Sequence, residues 1–166
     1  VLVVCMGNLC RSPVGERMLQ QKLPDHIVRS AGLSAVTGQG IDPDFGRLAS
    51  EYGVCVDDHS ARQLTPEMCR KQDLILVMER RHIAMMASIA PYVQGKTLLF
   101  GHWQNHLDIR DPFRRSPEAH QLCIQQLLIS ATGWISALSH TKKWNEQELS
   151  CIKTPHAVPE KHKKSV

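Results

Sequence analysis

The chain has 166 residues, enough for one domain with a hydrophobic core and short of two of ordinary size. Hydrophobic residues make up 42% and charged residues 22%, which excludes collagen-like, wholly disordered and membrane-spanning classes; no continuous apolar run approaches the ~18 residues a spanning helix needs. A balance of 20 Lys and Arg against 16 Asp and Glu gives a formal charge of +4, which admits a nucleic-acid or acidic-membrane partner until the charge is located.

The apolar run Val1 to Val4 reads as a first buried strand. It lacks an initiator Met as well as the basic flank and length of a signal peptide, so it reads as a trimmed start. Pro13 suits the first turn of a helix running through Glu16, Met18 and Leu19 to about Leu23. Ile27 and Val28 predict a second short strand, and Asp42 caps a helix that holds Phe45, Leu48 and Ala49 and ends near Gly53. Thr65-Pro66-Glu67 opens a third helix, Leu74 to Val77 forms a strand, Arg80 to Ile89 a fourth helix, and Thr97 to Phe100 the last strand. Ile124, Leu127, Leu128, Ala131, Ile135 and Leu138 recur at spacings of three and four, the stripe of a final helix. Gly133 within it costs about 1 kcal/mol relative to Ala. Alternating strands and helices with short connections predict an α/β domain with a parallel sheet, and no internal repeat is present.

Beyond Trp144 the apolar pattern stops, and Lys153 to Val166 is rich in Lys, His and Pro. Residues 1–140 therefore read as the domain and 141–166 as a basic, disordered tail. The domain holds 14 Lys and Arg against 13 Asp and Glu, the tail 6 against 3. The domain is nearly neutral, which removes the main support for a nucleic-acid partner. Six cysteines (Cys5, Cys10, Cys55, Cys69, Cys123, Cys151) are sparse and lack the spacing of a zinc site. A reduced, cytoplasmic protein without a metal or cofactor is expected, and one not inserted in a membrane.

The most informative stretch is Val3-Val4-Cys5-Met6-Gly7-Asn8-Leu9-Cys10-Arg11-Ser12-Pro13, a strand that runs through Cys-x5-Arg-Ser into a helix. A short loop between a strand and a helix N-terminus can curl so that successive N–H groups point inward, with Gly7 and Asn8 tolerating left-handed dihedrals. The helix N-terminus adds positive potential at the same point, and the planar Arg11 fork matches two phosphate oxygens. This field favours the thiolate of Cys5, a nucleophile aimed at phosphorus. Ser12 is placed to donate a hydrogen bond to that sulfur, and Cys10 is near enough for a reversible disulfide with Cys5.

Phosphoryl transfer from an ester also needs an acid for the leaving oxygen and then a base for water. Asp111-Pro112-Phe113 lies between the last strand and the last helix, where a loop can reach the carboxyl end of the sheet. Pro112 stiffens Asp111, and Phe113 offers a ring for a cleft wall. Asp108 is the competing acid.

Cys5 to Pro13 together with Asp111-Pro112-Phe113 resembles the low-molecular-weight protein tyrosine phosphatase family. The resemblance extends through Ser30-Ala31-Gly32, His59 to Thr65 and Asp73 to Glu79, over roughly residues 1–140. Arg81-His82-Ile83, Leu98 to Trp103 and Arg114-Arg115-Ser116 are most similar to the bacterial branch paired with tyrosine autokinases of capsule and exopolysaccharide export. The resemblance implies a three-layer α/β/α fold with a four-stranded parallel sheet and a metal-free, two-step hydrolysis of phosphotyrosine proteins, among them a membrane tyrosine autokinase. It gives Cys5 the nucleophile's role, Arg11 and the loop amides of Met6, Gly7, Asn8, Leu9 and Cys10 the phosphoryl oxygens, and Asp111 the acid's and then the base's. Asn8, Ser12, Ser30 and His59 match positions that stiffen the loop. Met6, Leu9, Val36 and Phe113 are the rim candidates, Phe113 replacing the family's usual Tyr. Two rivals are an arsenate reductase on the same scaffold, which needs relay cysteines that Arg80 to Ile89 lacks, and a phosphotyrosine-binding module without turnover.

Overall fold

The computed structural model describes the backbone of residues 1–151 and the side chains of 1–139; the expected tail overlaps it only at the end of the last helix, and 152–166 lie outside the described residues. The elements are β1 (Leu2–Cys5), α1 (Arg11–Lys22), β2 (Arg29–Gly32), α2 (Pro43–Glu51), α3 (Pro66–Arg70), β3 (Ile75–Val77), α4 (Arg80–Ile89), a 3-10 turn (Pro91–Lys96), β4 (Thr97–Leu99) and α5 (Pro117–Cys151). All strands pair in parallel, in the order β2-β1-β3-β4.

Strand alternation divides the core. Val3 and Cys5 of β1 and Leu76 of β3 face the cluster that holds Val14 of α1, Phe45 of α2 and Ile124 of α5. Leu2, Val4, Ile75 and Val77 face the opposite cluster, with Cys69 of α3 and Met86 of α4. Helices thus cover both faces, as parallel strands buried on each side require. The chain leaves β1 toward β2 on one side and returns for β3 on the other, so the crevice at the carboxyl end of β1 lies at the reversal of strand order.

Two helix starts carry their expected caps: Asp42 Oδ2 accepts the Phe45 amide at 3.1 Å, and Thr65 Oγ1 accepts the Met68 amide at 3.2 Å. The second strand is a correction. It lies at Arg29–Gly32, after the expected Ile27 and Val28. Ile27 is 71% exposed and Val28 buried, so the apolar pair marks the approach to the sheet. The small residues Ser30, Ala31 and Gly32 form this edge strand because the loop after β1 passes close by: a Cβ on Gly32 would lie 2.7 Å from the Met6 carbonyl oxygen.

Helix α5 buries Ile124, Leu127 and Ala131 against the core shared with α1 and α2. Its segment Pro117–Ser139 is, among the described residues, long and apolar enough by length and composition to cross a membrane. Polar residues interrupt it, so a search for continuous apolar runs passes over it; in this fold its stripe forms a core face. Gly133 has a packing reason, since a Cβ there would sit 2.7 Å from Trp103 Cβ.

Candidate active site

Between the end of β1 at Cys5 and the start of α1 at Arg11 the chain curls, with Asn8 in the left-handed region at φ 56°. Gly7 does not take a positive φ, so Asn8 alone adopts the dihedral expected of either. Its local bonds offset the cost. The Asn8 side-chain Nδ2 donates to Ser12 Oγ at 2.7 Å and to Ser30 Oγ at 3.1 Å, and its Oδ1 accepts the Arg62 backbone amide at 3.0 Å. The Asn8 carbonyl accepts His59 Nε2–H at 2.6 Å, which fixes that ring's tautomer. Ser30 Oγ in turn donates to Glu16 Oε2 at 3.2 Å. Burial raises the pKa of Glu16 against the opposing charges of Arg17, His59 and Arg62.

This network acts on the sulfur. Ser12 Oγ stands 2.9 Å from Cys5 Sγ. Because Asn8 already donates to that oxygen, the Ser12 hydroxyl hydrogen is left to point at Cys5, where it can stabilise a thiolate. The first turn of α1 holds no acidic residue, and its capping position, Cys10, makes no side-chain cap. The helix's first amides and its positive end therefore remain for an anion.

Arg11 is 1% exposed. Its Nη1 donates to Glu79 Oε1 at 2.6 Å and to the Ile109 carbonyl at 2.7 Å, which orients the guanidinium from behind and leaves its Nε–Nη2 edge for a phosphoryl group. Burial works to raise the Glu79 pKa, but hydrogen bonds from Arg81 and Arg11 outweigh it and hold the carboxyl below its ordinary value. Asp111 Oδ2 lies 3.8 Å from Arg11 Nη2, and Asp111 Oδ1 accepts the Phe113 amide at 3.1 Å. Asp108, the competing acid, accepts the Arg80 amide at the start of α4 and is thereby committed to capping that helix.

These groups share one cleft of about 230 Å³. Cys5, Met6, Gly7, Leu9, Cys10 and Arg11 line it from the loop, and Val36, Asp111 and Phe113 from the facing segments. Asn8 and Ser12 do not line it; fully buried beneath the loop, they act on its shape. Cys5 and Cys10 are both free, and burial raises the Cys10 thiol well above its ordinary value. Among the described residues no group of three His, Cys, Asp or Glu is placed to hold a metal.

Sequence reasoning missed Glu79, Arg62, Glu16 and Ser34, the last a further lining residue. Glu79 carried a usable signal: an acid two residues past β3, the strand paired to β1, stands at the same sheet end as the loop. Arg62 and Glu16 offered none, since each acts through a side chain or amide brought close only by folding.

Comparison with known proteins agrees with this geometry. Residues 1–144 match the family of low molecular weight phosphotyrosine protein phosphatases. The chain is 49% identical over 139 residues to the probable low molecular weight protein-tyrosine-phosphatase AmsI of Erwinia amylovora, covering 84% of this chain and 96% of that protein. It is 46% identical over 139 residues to the low molecular weight protein-tyrosine-phosphatase Wzb of Escherichia coli K12, covering 84% and 95%. The solved structure of Vibrio vulnificus Wzb in complex with benzylphosphonate superposes with a TM-score of 0.80 at 44% identity, covering 82% of this chain and 96% of that one. With a loop of this geometry inside a match that spans most of the chain, the protein belongs to the low molecular weight phosphotyrosine protein phosphatase family.

Proposed function

We propose that the protein is a protein-tyrosine phosphatase in which Cys5, Arg11 and Asp111 carry the chemistry. The Cys5 thiolate attacks phosphorus while the Nε–Nη2 edge of Arg11 and the amides of Met6 to Cys10 hold the phosphoryl oxygens. The tyrosyl oxygen leaves with the proton of Asp111, and the S–P bond formed is that of a phosphocysteine. The Asp111 carboxylate then takes a proton from water, whose oxygen attacks phosphorus. Phosphate leaves, and the thiolate returns to the hydrogen bond from Ser12. The observation that carries this reading is the 2.9 Å contact between Cys5 and Ser12 at the base of a cleft whose guanidinium is held from behind.

Met6, Leu9, Val36 and Phe113 form an apolar rim above the sulfur, which suits an aromatic phosphate and leaves a short serine phosphate out of reach. The substrate is a phosphotyrosine protein, and the resemblance to the branch paired with capsule and exopolysaccharide autokinases supports a membrane tyrosine autokinase acted on from the cytoplasm. Under peroxide, Cys5 oxidised to the sulfenic acid can be resolved by Cys10, whose thiol gives up its proton to the departing hydroxide as the disulfide forms and water leaves. The segment Arg80–Ile89 holds no cysteine for an arsenate-reducing relay. The test is phenyl phosphate hydrolysis without added metal, together with substrate capture by Cys5→Ser. Abolition of turnover and recovery of phosphotyrosine proteins are expected; unimpaired turnover by Cys5→Ser, or capture of serine-phosphorylated proteins alone, would overturn the reading.

A further inference from the structure

A second cavity, of about 550 Å³, adjoins the catalytic cleft and shares Asp111 with it. Leu107, Pro112 and Leu122 give it apolar walls, and Arg110 and Arg115 bring two exposed guanidinium groups to its edge. Two carboxylates also border it. Asp108 accepts the α4 amide of Arg80, and Asp111 accepts the Phe113 amide while facing Arg11. Both acids are thus engaged elsewhere, whereas neither Arg110 nor Arg115 makes a side-chain hydrogen bond or ion pair among the described residues. The cavity therefore offers two planar donors to a dianion carried on an apolar stem.

We propose that this cavity binds a second phosphotyrosine of the same substrate polypeptide while the first occupies the catalytic cleft; the inference rests on the tyrosine-phosphatase reading above. Size supports that occupant, because the cavity has about twice the volume of a cleft that itself receives an aryl phosphate. A carboxylate side chain would engage one guanidinium and leave the apolar walls uncovered. The second phosphotyrosine is bound and not hydrolysed there. The thiol on this side is Cys123, 2% exposed, with no phosphate loop around it; burial pushes its pKa up to about 12, so it stays protonated.

The test uses the full chain with phenyl phosphate, a peptide bearing one phosphotyrosine, and a series bearing two at spacings of one to five residues. For at least one spacing, KM for the doubly phosphorylated peptide should be roughly tenfold below that for the single one. The Arg110→Gln/Arg115→Gln double variant should abolish that advantage and leave phenyl phosphate kinetics unchanged, and the corresponding double Lys variant should restore it in part. No preference at any spacing, a preference that survives the double Gln variant, or an equal gain when glutamate replaces the second phosphotyrosine would overturn the proposal. Failure of the wild type to hydrolyse phenyl phosphate would refute the parent reading instead.

Discussion

Acid should weaken this fold through one histidine, and the size of the effect follows from its surroundings. His82 in the first turn of α4 is fully buried. Its Nδ1 accepts the Glu79 amide at 3.2 Å, so the ring proton sits on Nε2, which has no hydrogen-bond partner and lies 3.7 Å from Glu79 Oε1. Burial and the Arg11 charge lower its pKa from 6.5 to about 4, the attraction of Glu79 being too weak to compensate. The unfolded chain therefore binds a proton that the folded chain refuses between about pH 6.5 and 4. Stability from this group is complete above that window and is lost as pH falls through it. At 1.36 kcal/mol per unit, the difference amounts to about 3 kcal/mol. Urea unfolding of the wild type and His82→Asn at pH 7, 6, 5 and 4 measures it, after subtraction of the carboxylate slope common to both proteins. The wild type should lose about 3 kcal/mol more than the variant across the window. Parallel slopes would refute the reasoning, as would an NMR titration that places His82 near its ordinary value.

Asp111→Asn keeps the loop's shape and removes the proton, so kcat on phenyl phosphate should fall by about 10²- to 10⁴-fold with KM little changed, and less on an ester with a better leaving group; steady-state kinetics on the two esters checks this. Glu79→Gln removes the charge that holds Arg11 from behind at 2.6 Å. With Arg11 this buried, chemical denaturation should show a loss of about 2 kcal/mol and kinetics a drop in kcat/KM of about tenfold or more. Gly133→Ala gains about 1 kcal/mol of helix propensity but drives a Cβ to 2.7 Å from Trp103 Cβ, so the melting temperature should fall and not rise.

The site was more legible in the chain than the fold's edges were. Cys5, Arg11 and Ser12 fall within one strand-to-helix turn, where local rules govern backbone direction, and Asp111 could be chosen because its loop follows a strand. The second strand was misplaced because Arg29 to Gly32 is shaped by contact with the Met6 carbonyl, a tertiary demand for small residues that no apolar pattern records. Glu79 and Arg62 escaped for a related reason. Their partners are 68 and 54 residues away, at Arg11 and Asn8, and only the sheet order β2-β1-β3 brings them together. Gly133 costs the last helix propensity that the sequence shows, whereas its reason, Trp103 packed against it, appears only in the fold.

In this mechanism the phosphoryl group passes through Cys5. Acid quench of Asp111→Asn during turnover of p-nitrophenyl phosphate, followed by peptide mass mapping, tests it most directly, because a leaving group that departs without a proton lets the intermediate form while its slow hydrolysis lets it accumulate. One phosphoryl group on the peptide that carries Cys5, absent in Cys5→Ala, is the predicted result; turnover with no covalent adduct, or with the phosphoryl group on another residue, would contradict it.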